Sequence, residues 1–502
     1  MRSAAIILSL AALIAYGQDI HGSVETIGEV RILNLWGTWE EMGYAHGYLL
    51  GPDLKEVYED YFVELAGGIG NISLLRTYFP LYFDVPDEFR QYAAGIIAGA
   101  ADTISLYSSV FGREVDTLDL YITASVPDLS ALVDGMQLYC SSTSGWGGAT
   151  SGDPQLQGDP AISRNLDYYV DTQGTILGQN LLVTFDPETG QDWVSVTFPG
   201  FMGSLSGMNE TGINATLNMG NHQGTTQTAT PFVPICMALA LGLSDTDFDG
   251  SGTCDIEDMM AALTEWNRSN SYDIHVTSPA ALGTAGEPAV VAEVNNEAGY
   301  AFRYSADEPG IAPGRMILTN HHRVLYPPVY CIRYEWLMDS LTANPDITLG
   351  RLWDFMSAVG GPPVPGTGGT LQTMIFQPEQ RRMGLAFSSP GTASYDKSPE
   401  WIDWADIFPN HVPQSAEGES VSRAVMTITP NPATSSICIG RDGIIPSELR
   451  FFDLSGRELA LQVTSAGEDM LQADVTDLPT GIYTVIRTTG GEREAASFLV
   501  LR

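Results

Sequence analysis

One cysteine stands where covalent chemistry is easy to arrange. The run Gln137-Leu138-Tyr139-Cys140-Ser141-Ser142 is followed by Ile162-Ser163-Arg164-Asn165-Leu166-Asp167. A cysteine at the start of a chain holds a nucleophile and a base in one residue. Its thiol attacks, and its freed α-amine, with an ordinary pKa of about 7.7–8.0, accepts and returns the proton. The pattern predicts self-cleavage between Tyr139 and Cys140, with no separate histidine base. The plain alternative is that Cys140 is a small buried apolar residue.

The elements that must position this cysteine change character across it. Before it, the chain reads as mainly helical, after a short strand at Val30–Leu35. Thr38 followed by Glu41 is a capping-box pattern opening a helix. Gly43 and Gly47 lie one turn apart and allow another backbone to approach, and His46 reads as a helix residue packed at that contact. Asp53–Ala66, Pro86–Ala101 and Thr117–Ser125 carry apolar residues at helical spacing. After Cys140 come strand-like runs at Leu181–Phe185 and Trp193–Phe198, then a hairpin through Asn209-Glu210-Thr211-Gly212. Helices at Pro231–Leu243 and Ile256–Trp266 precede further strands at Ala289–Val294, Gly299–Tyr304, Met316–Asn320, Thr370–Gln377 and Met383–Phe387. Strands, then helices, then strands indicate a layered α+β body rather than βαβ repeats.

The organisation expected is a signal peptide at 1–17, a helical pro-segment or small chain at 18–139, a catalytic body at 140–410, a linker at 411–423 and a small all-β, immunoglobulin-like sandwich at 424–502. Arg2, the apolar run Ala4–Ala15 and Ala15-Tyr16-Gly17 carry the signal-peptide reading. No later stretch reaches the roughly 18 apolar residues of a membrane span. The net charge is −38, and lysine occurs only at Lys55 and Lys397. Such a surface repels nucleic acid and anionic membranes, so neither is expected as a partner. Of five cysteines, Cys140, Cys236, Cys254, Cys331 and Cys438, an odd one is left free in an exported chain, and no CxxC pair points to zinc.

Asp245, Asp247 and Asp249 alternate before Gly250, as in the first half of a calcium loop. Counted from Asp245, the closing position falls on Ile256, so Glu257 or Asp258 would serve only through an insertion. The plain alternative is an acidic turn capping the helix that starts near Asp255. No cofactor is expected for catalysis.

Residues 30–390 resemble the autoproteolytic acyltransferase/hydrolase family typified by isopenicillin-N acyltransferase, relatives of the choloylglycine hydrolases. The likeness lies in Glu41-Met42-Gly43-Tyr44-Ala45-His46-Gly47, in Cys140 and its small hydroxyl neighbours, in Arg164-Asn165-Leu166-Asp167, in Gly207–Ile213, in Leu318-Thr319-Asn320-His321 and in Thr370–Phe376. It implies an N-terminal-nucleophile (Ntn) hydrolase with an αββα sandwich. It implies Cys140 as nucleophile, Arg164 beside the thiolate or substrate, Asp167 holding the α-amine, Asn218 as oxyanion donor and Asn320 orienting the amine and the tetrahedral intermediate. Tyr139 stands where the family often has Gly, and the Cys140–Arg164 segment is longer than in bile-salt hydrolases.

Residues 424–502 resemble the C-terminal sorting domain of type IX secretion cargo, through Thr429-Pro430-Asn431-Pro432-Ala433, Asp453-Leu454-Ser455-Gly456-Arg457 and Leu478-Pro479-Thr480-Gly481-Ile482-Tyr483. That implies a secreted or cell-surface protein whose tail meets the secretion machinery. The reading is a hydrolase cutting a linear, non-peptide amide, or transferring its acyl group, through a thioester on Cys140. The alternatives are a phospholipase-B-like lipid deacylase and a non-catalytic, calcium-stabilised surface binding protein.

Overall fold

The computed structural model describes residues 20–130, 132, 139–220, 231–308 and 310–408, together with 427–429, 433–440, 449–453, 458–465, 470–489 and 492–500. The signal segment and the linker expected at 411–423 lie outside the described residues. The chain divides into two units, 1–413 and 414–502.

The first unit opens with a hairpin, β1 (Gly22–Ile27) and β2 (Val30–Gly37), followed by α1 (Trp39–Glu56). The capping box forms: Thr38 Oγ1 accepts the Glu41 N–H at 3.2 Å and Glu41 Oε2 accepts the Thr38 N–H at 2.9 Å. A π-helical turn, Val57–Phe62, runs into α2 (Val63–Leu65), then α3 (Ile69–Tyr82) and α4 (Asp87–Ala101). The ribbon β3 (Tyr107–Ser108) and β4 (Arg113–Glu114) leads to α5 (Thr117–Ala124) and α6 (Val126–Leu129). Helices α1 and α4 touch backbone to backbone. A Cβ at Gly43 or Gly47 would overlap the Tyr92 or Ile96 carbonyl oxygen, and Gly95 and Gly99 face α1 in the same way. His46 is buried at this contact. Its Nε2 accepts the Gly200 N–H at 2.9 Å, so Nδ1 carries the proton toward Tyr92 Oη at 2.7 Å.

The strand carrying the cysteine is β5 (Tyr139–Gly145), paired to β6 (Ala161–Tyr168). A hairpin series follows: β7 (Leu181–Pro187), β8 (Trp193–Thr197), β9 (Ser206–Asn209) and β10 (Asn214–Met219). Helices α7 (Ile235–Ser244) and α8 (Ile256–Thr264) precede β11 (Ser271–Thr277), β12 (Ala289–Asn295), β13 (Gly299–Arg303) and β14 (Arg315–Leu318). Helices α9 (Ile332–Ala343) and α10 (Leu349–Val359) and strands β15 (Gly369–Gln377), β16 (Arg382–Phe387) and β17 (Glu400–Asp403) complete the unit.

Two sheets result: nine strands in the order β1-β2-β7-β8-β9-β10-β11-β12-β13, and six in the order β14-β5-β6-β15-β16-β17. They face each other through β10 and β5; α1, α7 and α8 cover the outside of the first, and α10 the outside of the second. The body is thus four layers, helix, sheet, sheet, helix.

Residues 18–139, expected as a helical pro-segment or small chain, also supply strands to the common body: β2 pairs parallel to β7 and extends the larger sheet. Val30, Ile32, Leu33 and Leu35 are buried there in the common core. A cut after Tyr139 would leave the two pieces joined by that sheet edge and core.

The second unit is all-β. Strands β18 (Thr427–Thr429), β19 (Ser436–Gly440), β20 (Leu449–Asp453), β21 (Glu458–Leu459), β22 (Val463–Ser465), β23 (Met470–Asp474), β24 (Gly481–Thr489) and β25 (Glu492–Val500) form two four-stranded sheets. Ile437, Ile439, Phe451, Leu471 and Val485 share their core.

Candidate active site

Small side chains on β5 let the two sheets close on each other. Ser142 and Ser144 face the larger sheet, where His275 of β11 meets Ser142 Oγ through Nδ1 at 3.0 Å and Ser144 Oγ through Nε2 at 2.8 Å. Alternation along β5 puts Cys140 on that same inward face, and it is fully buried. Tyr139, before it, is 47% exposed.

Arg164 lies on β6 opposite Ser142 and is completely buried. Its Nη2 donates to Cys140 Sγ at 3.4 Å and its Nη1 to Asn218 Oδ1 at 3.1 Å. Asn218, on β10, donates through Nδ2 to the Thr319 carbonyl at 2.7 Å. Asn320 follows β14: its Oδ1 accepts the Cys140 main-chain N–H at 2.9 Å, and its Nδ2 donates to the Met219 carbonyl at 3.0 Å. Four of the expected residues therefore meet in one hydrogen-bonded group. Burial pushes the Cys140 thiol up, against the pull of Arg164 and of the Asp167 main-chain N–H. Burial also lowers the Arg164 guanidinium. The thiol therefore rests protonated and needs a base to become a nucleophile.

Asp167 stands at the edge of the group. Its Oδ1 accepts from Thr370 Oγ1 at 2.6 Å, and its Oδ2 lies 3.6 Å from Arg333 Nη1. Burial raises its carboxyl. Asn218 differs from a free oxyanion donor, since one N–H and its oxygen are already engaged. An amide carries a second N–H besides these.

Arg333 was not anticipated. From the first turn of α9, its Nη1 donates to the Cys140 carbonyl at 2.7 Å and to Ser141 Oγ at 2.8 Å, and its Nη2 to Asn320 Oδ1 at 2.7 Å. Its fork thus ties the Cys140 peptide to the residue that accepts from its nitrogen. The sequence signal was faint: a single arginine after Cys331 in a chain with few cations, on a helix whose apolar spacing is weak. Behind Asn320, His322 Nδ1 bonds Asp273 Oδ1 at 2.6 Å and Nε2 meets Ser271 Oγ at 2.6 Å. Glu293 accepts from Arg303 Nε and from the N–H groups of Arg323, Val324 and Leu325. Asp273, Glu293 and His322 could together face a metal ion, but with Glu293 saturated by donors they read as an ion network bracing the Asn320 segment.

The acidic loop assembles in a different frame from the one expected. Carboxylate oxygens of Asp247, Asp249 and Asp258 lie within 4.8 Å of one another. Asp245 instead accepts the Asp247 N–H at 2.9 Å. Counted from Asp247, the calcium-loop positions 1, 3, 5, 9 and 12 are Asp247, Asp249, Ser251, Asp255 and Asp258, with Gly252 at 6. In this count the twelfth position falls on Asp258 with no insertion. This all-oxygen donor set fits calcium.

Residues 427–501 match the model of the secretion system C-terminal sorting domain. This tail marks the chain for secretion and cell-surface attachment through the secretion machinery, and no described helix is long and apolar enough to cross a membrane. An uncharacterized protein of Archaeoglobus fulgidus is 25% identical over 224 residues, 40% of this chain and 35% of the relative, so the chain spans about a third of that relative's length. Among solved structures, a Caenorhabditis elegans N-acylethanolamine-hydrolyzing acid amidase ortholog is 16% identical with a TM-score of 0.35, over 52% of this chain and 100% of its own. A mutant of conjugated bile acid hydrolase from Clostridium perfringens is 13% identical with a TM-score of 0.30, over 56% and 100%. Penicillin V acylase from Agrobacterium tumefaciens is 11% identical with a TM-score of 0.32, over 53% and 86%.

Proposed function

We propose that this exported chain is a self-cleaving Ntn hydrolase of linear amides, or a transferase of their acyl groups, with Cys140 as nucleophile. The observation that carries the reading is the pairing around one residue. A buried guanidinium lies 3.4 Å from the sulfur, and Asn320 Oδ1 lies 2.9 Å from the nitrogen that cleavage would convert to a base.

In the first step the thiol attacks the Tyr139 carbonyl carbon. The Tyr139–Cys140 C–N bond breaks, the nitrogen takes the thiol's proton, and water then hydrolyses the ester left on sulfur. In turnover the freed α-amine, held by Asn320, takes the thiol proton while Arg164 stabilises the thiolate. The sulfur attacks the substrate's amide carbonyl, and the second Asn218 N–H faces the developing oxyanion. The ammonium returns its proton to the leaving amine. Water, or an acceptor amine, then takes the acyl group from the thioester. Asp167, steadied by Thr370 and Arg333, supplies negative charge that favours the protonated amine.

Intact mass and N-terminal sequencing of the wild type beside Cys140→Ala test this. A chain beginning at Cys140 in the wild type alone is expected. An uncleaved, stable wild type would leave the nitrogen locked in a peptide bond and would overturn the mechanism. An amide-against-ester substrate panel then separates amidase from lipid deacylase.

We also propose that the Asp247–Asp258 loop holds a structural calcium ion. Calcium should raise the melting temperature of the wild type and not that of Asp247→Asn; equal shifts in both would remove the ion from this loop.

A further inference from the structure

An open pocket of about 650 Å³ lies at the rim where the two sheets of the first unit meet, in the size range of small-molecule sites. Glu29 and Val30, at the turn between β1 and β2, belong to one wall, and the end of β16 with the start of β17 forms the other. Register builds the second wall. Leu385 and Phe387 share a face of β16, and Glu400 of β17 pairs directly with Leu385, so the three side chains project together. From Phe387 the paired positions run through Gln372 and Leu166 to Cys140. Three strand spacings put the pocket roughly 14 Å from the nucleophile, with two side chains between them.

The polar groups of this pocket are held in place. Lys397 Nζ donates to Glu29 Oε2 at 2.9 Å, an ion pair that joins the two walls. Gly28, at a φ of +56°, lies against Glu400, and a Cβ there would collide with the carboxylate. Glu400 is left with no hydrogen-bond donor among the described residues. Asn180, also in the lining, accepts from Gln372 Nε2 through Oδ1 at 3.0 Å and is 6% exposed. The hydroxyls of Ser389, Thr392 and Ser398 complete the polar side.

We propose that this pocket binds a neutral saccharide unit. Two carboxylates against one ammonium, in a chain of net charge −38, disfavour an anion. A cation would have to compete with Lys397 for Glu29. An apolar ligand would strip water from the carboxylates and hydroxyls and return no hydrogen bond. A saccharide hydroxyl both donates and accepts. It can donate to Glu400, accept from Lys397, and bond Ser389, Thr392 or Ser398 in either sense. The C–H face of the ring suits Val30, Leu385 and Phe387, the apolar part of the lining. Saccharide binding here does not require Cys140 to be a nucleophile, and it gives the exported chain a glycan-directed function beside the proposed hydrolysis.

Calorimetric titration of the full chain with glucose, galactose, mannose, N-acetylglucosamine, cellobiose and lactose tests this, with glucuronate and glucosamine as charged counterparts. One neutral saccharide is expected to bind with a dissociation constant of about 1 mM or lower. Glu400→Gln keeps the shape of the side chain, and Ser398→Trp fills the pocket from an exposed position. Each, checked for folding by its melting temperature, should weaken that binding about tenfold or more. Cys140→Ala should bind as the wild type does. No binding of any neutral saccharide, tighter binding of glucuronate or glucosamine, or binding untouched by both pocket variants would each overturn the proposal. Binding lost in Cys140→Ala would move the saccharide to the nucleophile and overturn it as well.

Discussion

Replacing Arg164 with Gln should separate catalysis from stability. The guanidinium lies 3.4 Å from Cys140 Sγ, with both residues fully buried. At an effective dielectric of about 20, a thiolate and a guanidinium at that distance attract by roughly 5 kcal/mol. Removing the cation's own desolvation, and keeping a side-chain amide near Asn218, leaves roughly half of this as the net loss. A loss of about 2.7 kcal/mol is about a hundredfold in the population of thiolate. The assay is the rate of Cys140 alkylation by iodoacetamide across pH, followed by intact mass, with amide turnover measured alongside. Both rates should fall about a hundredfold at pH 8. The stability should hold or rise, because the buried charge has no carboxylate within salt-bridge distance among the described residues and its Nε has no hydrogen-bond partner. An unchanged alkylation profile would show that Arg164 does not stabilise the thiolate. A large loss of stability with normal alkylation would make it a structural residue.

Arg333→Met keeps the apolar stem and removes the bonds to Cys140, Ser141 and Asn320. It should lower kcat/KM by about tenfold or more, with Arg333→Lys restoring only part, since a point charge cannot span both partners; full activity in the methionine variant would dismiss the role. Gly47→Ala would force a methyl into the Ile96 carbonyl and should cost about 3 kcal/mol or more in urea unfolding, against little change for an exposed glycine such as Gly148. The pH dependence has a definite sign. Burial holds His46 and His275 down to about 3, below their unfolded value of about 6.5. Their contribution is complete above that unfolded value and is lost as pH falls toward about 3, by roughly 2–3 kcal/mol each at pH 4.5. Asp128, raised to about 6 by burial, acts in the opposite sense. The measurement is therefore the difference between wild type and His46→Gln in urea midpoints from pH 7 to 4.5, and parallel curves would contradict a neutral buried His46.

Local chemistry made much of this protein readable from its sequence. The capping box at Thr38 and Glu41, the glycines at 43 and 47, and the change of texture at Cys140 depend on neighbours a few residues away. The sorting tail was readable because its turn residues recur at short range. Elements with weak or misleading patterns were not read. Strand β11 alternates Ser271, Asp273, His275 and Thr277 with apolar residues, which looks like a solvent-facing strand. Those polar residues are instead buried between the sheets. Helix α3 contains Pro80, and α9 leaves Ile332 and Trp336 exposed, so neither shows a clean apolar stripe.

What the sequence by itself determined was the identity of the chemical groups and the order in which they occur: a cysteine able to become a chain start, an arginine, an aspartate and two asparagines after it. Only the tertiary structure decided which of them touch. Asn320 reaches the Cys140 nitrogen across 180 residues, and Arg333 reaches the Cys140 carbonyl across 193. Such contacts depend on how β14, β5 and β6 align in one sheet and on where α9 begins. The joining of residues before Cys140 to the larger sheet, and the gathering of the Asp247, Asp249 and Asp258 carboxylates, were decided in the same way. Pairing between distant strands is set by mutual burial of side chains and hydrogen-bond register, and neither is a property of any short stretch of chain.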